Sequence, residues 1–135
     1  MTPREAFAAI GLAAVACDGA LDGEEAAMLR QLLQLRSPYC DLGEVVMARM
    51  LDGLLERLRS GGWHELICEA APVLTPLQQE TAFAMAALLV HTNRSVQPVE
   101  RQMLARLEDL IAIPPERCSQ ILEVMAVLQR DSLGD

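Results

Sequence analysis

Twelve consecutive residues, Ala6 to Cys17, carry no charge. A bilayer crossing needs roughly 20 apolar residues, so the run is too short to span. It leads straight into acidic residues without a small-polar cleavage region, and therefore reads as a buried helix rather than a signal peptide. A second charge-free stretch, Thr81 to Val90, has the same character. Helices apolar on most sides must be wrapped by other helices. The apolar residues are mostly Ala and Leu, and aromatics make up only 3% of the chain. That composition suits closely packed helices and disfavours strands. With 135 residues, 52% of them hydrophobic, the sequence predicts one compact all-α domain over 1–135.

Helix boundaries follow from caps and breakers. Thr2-Pro3-Arg4-Glu5 has a capping threonine, a proline at N1 and a glutamate at N3, so a first helix should run from about Pro3 to Cys17. A corner at Asp18–Leu21 follows. Asp22 can cap a second helix with Glu25 at N3. Met28, Leu29, Leu32, Leu33 and Leu35 line that helix, and Ser37-Pro38 ends it. Asp41 with Glu44 suggests a third start. That helix should reach about Arg59, with Val45, Val46, Met50, Leu54, Leu55 and Leu58 apolar. Ser60-Gly61-Gly62 breaks the chain before a short helix from Trp63 to Ala71. Thr75-Pro76-Leu77-Gln78 repeats the first cap and opens a helix to about Thr92. After the corner Asn93–Ser95, Pro98 opens a helix bearing Met103, Leu104, Leu107, Leu110 and Ile111. Pro114-Pro115 precedes the last helix, Glu116 to Gln129, faced by Cys118, Ile121, Leu122, Met125 and Leu128. About seven helices result.

A degenerate repeat underlies this order. Ala9 and Ala84, Val15 and Val90, Glu25 and Glu100, Met28 and Met103, and Leu32 and Leu107 are each 75 residues apart. Both copies read as small apolar helix, polar corner, amphipathic helix. The expected architecture is two related helical hairpins joined in one bundle.

The first corner concentrates charge. Asp18, Asp22, Glu24 and Glu25 fall within eight residues with no Lys or Arg among them. Asp18, Asp22 and Glu25 could offer oxygens to a divalent cation such as Ca2+. The same residues also serve as helix caps and solvated surface, with Gly19 as a tight corner. The pattern is not an EF-hand: counted from Asp18, position three is Ala20 and position twelve is Leu29. Glu100 holds the repeat position of Glu25 and could contribute remotely, or serve its own helix start.

A formal net charge of -8 argues against nucleic acid and against anionic membrane surfaces. A basic protein surface or a cation fits better. Cys17, Cys40, Cys68 and Cys118 are widely spaced, as expected of reduced thiols in a cytoplasmic protein. His64 and Cys68 could share a helix face, and a zinc site would need two more ligands, with Cys40 or His91 as candidates. Otherwise they are ordinary core and surface residues. Trp63, after two glycines, is either an exposed anchor for a partner or a plug at the end of the bundle.

The stretch Ala13 to Asp22, continuing through Glu25 to Leu29, resembles the TerB family, the tellurite-resistance-associated helical domain. The resemblance resumes where Glu100 follows the Asn93 corner, and in Leu107 to Pro114. It covers most of the chain in order. It implies a bundle of about seven helices, an acidic surface, divalent-cation association and a role in stress-related assemblies at the cytoplasmic side of the membrane. The acidic role maps onto Asp18, Asp22 and Glu25. The second corner departs from the pattern, with Asn93-Arg94 in place of an Asp-Gly form. The leading expectation is a non-catalytic adaptor of this type that presents its acidic corner to a protein partner, basic or membrane-associated, or to a cation, with Asp18, Asp22, Glu24, Glu25, Trp63 and Glu100 as candidate contacts. The alternatives are a metal-assisted hydrolase, needing a cleft that joins Asp18, Glu100 and His91, and a structural homodimer or assembly subunit marked by an exposed Leu/Met face.

Overall fold

The computed structural model describes residues 1–19, 23–91 and 96–134, and only the backbone of 23–26. It contains α1 (Pro3–Ala16), α2 (Gly23–Gln34), a 3-10 turn (Tyr39–Asp41), α3 (Glu44–Ala70), a second 3-10 turn (Ala71–Val73), α4 (Pro76–Val90), α5 (Pro98–Leu110) and α6 (Pro115–Gln129). Among the described residues there is no strand. Among the described residues the bundle has six helices; the expected third and fourth follow one another in α3 without an intervening loop, joined across a non-helical residue. The break between them survives as a kink: Gly62 has φ 82° and ψ 170°, a left-handed conformation that glycine adopts without a Cβ clash. Arg57 and Glu69 bridge the kink with an ion pair at 3.1 Å.

Helix α1 is the axis of the bundle. It packs against α2, α3, α4 and α5, and every residue from Ala8 to Ala16 is buried. Small side chains allow that approach. A Cβ placed on Gly11 would lie 2.7 Å from Leu29 Cδ1 and 2.8 Å from Met85 Cε, so α2 and α4 both press on this point. Helix α4 is nearly as buried, as its charge-free stretch predicts. Both helices begin with complete capping boxes, at Thr2/Glu5 and Thr75/Gln78. The two hairpins match in layout: α1 and α2 have 14 and 12 residues, α4 and α5 have 15 and 13.

Several side-chain expectations fail: Met28, in the middle of α2, is exposed, and the others lie at helix ends. Leu35 is 84% exposed, because α2 stops at Gln34. Val45 and Val46 are exposed and Met47 takes the core position instead. Asp41 does not cap α3; it lies in the 3-10 turn, and Gly43 is an N-cap without a side-chain bond. Leu128 is exposed in the last turn of α6, and Val124 and Val127 are exposed with it, while Ile121, Leu122 and Met125 pack against the core.

One buried polar side chain closes the other end of the core. Gln79 donates to the Ala71 carbonyl and accepts from the Ala112 amide, both at 2.8 Å. It thereby ties the 3-10 turn to the exit of α5 and satisfies two backbone groups that burial would otherwise leave unpaired.

Candidate functional site

The acidic corner starts where α1 leaves the core. Cys17 is buried, with its thiol directed at the Ala14 carbonyl at 3.7 Å. The next residue, Asp18, is exposed. Gly19 has φ 83°, and its amide donates to the Ala16 carbonyl at 3.1 Å. The chain therefore turns sharply at a position only glycine takes readily, three residues beyond the end of α1. Asp22 lies outside the described residues, as do the side chains of Glu24 and Glu25 and the corner at Asn93–Arg94. Among the described residues no three His, Cys, Asp or Glu side chains form a metal-binding group.

Glu100 points inward. It is 6% exposed, and its carboxylate accepts from the Gln97 amide at 2.8 Å in the capping box of α5. The repeat position is thus occupied by a helix-start residue, and as a surface contact Glu100 is displaced by that structural work. His91 sits at the C-cap of α4, where its Nδ1 lies 2.7 Å from the Ala87 carbonyl. That geometry makes Nδ1–H the donor and fixes the tautomer.

Trp63 is half-buried against the core, directly after the Gly62 kink. Its ring meets His64 edge-on at 5.6 Å. His64 Nε2 accepts from Arg106 Nε at 2.9 Å, and Cys68 Sγ lies 4.0 Å from Nδ1. The His64–Cys68 spacing therefore does bring the pair onto one face. The third member is Arg106 from α5, which no local spacing indicates. A guanidinium is a poor neighbour for a cation, so this cluster does not fit zinc. Cys40 is exposed on the 3-10 turn after α2 and His91 belongs to α4, so each lies in its own setting. All four cysteines lie among the described residues as thiols rather than disulfides. Burial pushes the Cys118 thiol above its ordinary pKa, and Glu108 and Glu80 add to the shift.

No helix among the described residues is long and apolar enough to cross a membrane. No protein-family model, curated protein or solved structure matches this chain.

Proposed function

We propose that the chain is a non-catalytic helical adaptor of the TerB-like type, acting in a stress-related assembly at the cytoplasmic side of a membrane. Its acidic corner binds a basic protein surface, a divalent cation such as Ca2+, or both. The observation that carries this reading is the abrupt change at the end of α1, from buried Cys17 to exposed Asp18 and the left-handed turn at Gly19. Asp18 stands two residues beyond the last residue of α1, so a packed helix sets where its backbone lies. It also sits at the negative end of the α1 dipole, where an acid is disfavoured and a cationic partner would be welcome. The net charge of -8 favours the same class of partner.

The test compares wild type with Asp18→Asn/Asp22→Asn. The double variant should lose captured partners from the native host and lose calcium-dependent amide shifts around residues 18–25. Retained partners together with no saturable calcium response in wild type would reject the reading.

A second reading, a homodimer or assembly subunit, is favoured by the exposed apolar side chains Val124, Val127 and Leu128 on α6. Sedimentation equilibrium of wild type and Val127→Glu/Leu128→Glu separates the two. A dimer that the substitutions dissociate supports the subunit reading, and a wild-type monomer rejects it.

A further inference from the structure

At the opposite end of α1, three segments meet around a groove of about 360 Å³. Helix α1 contributes Arg4 and Phe7, the turn after α2 contributes Arg36 and Tyr39, and the first turns of α4 contribute Leu77 and Gln78. Each wall has a physical reason to hold its shape. Tyr39 is buried and donates its hydroxyl to the Arg4 carbonyl, which pins the turn to α1 across 35 residues of sequence. The Arg36 guanidinium lies over the Phe7 ring, 5.5 Å from its centroid, in a cation–π contact. Phe7 and Tyr39 rings are 6.2 Å apart. Leu77 stands 80% exposed at the rim.

The charge of the groove runs against the rest of the chain. Acidic residues outnumber basic ones 19 to 11. Even so, two guanidiniums converge here, and neither Arg4 nor Arg36 has a carboxylate at ion-pair distance among the described residues. Glu5, the nearest acid in sequence, is turned away to accept from the Thr2 amide at 2.9 Å. Two guanidiniums flanking an aromatic and aliphatic floor match a ligand with two carboxylates and an apolar side chain between them. A volume near the low end of ligand pockets, about 300–1,000 Å³, suits one or two side chains rather than a whole cofactor. The groove is partly open to solvent, so a segment can lie across it.

We propose that this groove binds a short acidic peptide segment of a partner protein, with carboxylates on Arg4 and Arg36 and a leucine-class side chain against Phe7 and Leu77. This goes beyond the adaptor reading, because it places a second contact of opposite charge at the far end of α1. Bidentate guanidinium–carboxylate pairing supplies the orientation, and apolar contact with the floor supplies selectivity over a merely charged peptide.

The test is an NMR titration of the 15N-labelled full chain with the blocked peptide acetyl-Ser-Glu-Glu-Leu-Leu-Glu-Glu-Ser-amide. Saturable shifts should centre on Arg4, Phe7, Arg36, Tyr39 and Gln78. Arg4→Glu/Arg36→Glu should weaken binding at least tenfold while keeping the wild-type amide spectrum elsewhere. Replacing both peptide leucines by serine should weaken it about fivefold, and a lysine-for-glutamate peptide should not bind. Binding by the double variant within twofold of wild type would overturn the proposal, as would the absence of saturable shifts at millimolar peptide. Self-association abolished by Arg4→Glu/Arg36→Glu, with no peptide binding, would assign the groove to a second copy and overturn it too. Failure here leaves the Asp18→Asn/Asp22→Asn result untouched, so the two readings fall separately.

Discussion

The two ends of α1 are built in different ways. Its carboxyl end makes the acidic corner by succession: Cys17, Asp18 and Gly19 are neighbours in the chain, and the helix needs only to stop. Its amino end makes the arginine groove by convergence, from three segments held by the Tyr39 hydroxyl, the Arg36–Phe7 contact and the packing of α4. The helix between them has 14 residues, about 21 Å at 1.5 Å per residue. The chain is therefore charged oppositely at the ends of one buried rod. A site made by succession should tolerate changes elsewhere in the bundle, whereas one made by convergence should not.

The largest effect should come from damage to the rod itself. Gly11→Leu forces a branched side chain into space already filled by Leu29 and Met85. It should destabilise the fold by about 3 kcal/mol, measured by urea unfolding. The peptide response at the groove should weaken well before the corner changes, because α2 and α4 must part to admit the side chain. Equal losses at both ends would erase the distinction.

A smaller effect isolates the pin of the groove. Burial pushes the Tyr39 phenol up to about 12, against an ordinary value near 10, despite opposing help from Arg4 and Arg36. The folded chain thus keeps this proton where the unfolded chain has released it. The associated stability is fully present below pH 10 and is lost as pH rises from 10 toward 12. It should amount to roughly 2–3 kcal/mol across that window. The protein has one tyrosine, so absorbance at the phenolate band follows this group alone. Tyr39→Phe should flatten the slope and cost about 1 kcal/mol at neutral pH through loss of the bond to the Arg4 carbonyl. A phenol that titrates near 10 in the folded chain would contradict the packing described.

The smallest effect on stability should come from the charges themselves. Arg4→Glu/Arg36→Glu and Asp18→Asn replace exposed groups. Each should move the melting temperature by no more than about 4 °C. A larger drop would mean that these side chains hold the fold together rather than face a ligand.

The same difference explains what was legible in the sequence. Charge-free runs, prolines and caps are local, and they locate α1, α4, α5 and α6 to within a residue or two. The corner at Asp18 could be read because its residues are consecutive. The groove could not: Arg4 looks like part of a helix start, Arg36 the end of an amphipathic run, and Tyr39 a turn residue. Only folding brings them together. Gln79 and Arg106 went unnoticed for the same reason, since their partners Ala112 and His64 lie 33 and 42 residues away. Val45, Val46, Leu35 and Leu128 misled because apolar character at a helix end does not say whether the neighbouring helix extends that far.

Two samples from one 15N-labelled preparation offer the most direct test of the two-ended account, one titrated with calcium chloride and the other with the acidic peptide. The account predicts saturable calcium shifts confined to the amides at and just after Asp18, and saturable peptide shifts confined to Arg4, Phe7, Arg36, Tyr39 and Gln78. Shifts from both titrants at the same end of α1, or a peptide response that survives Arg4→Glu/Arg36→Glu, would contradict it.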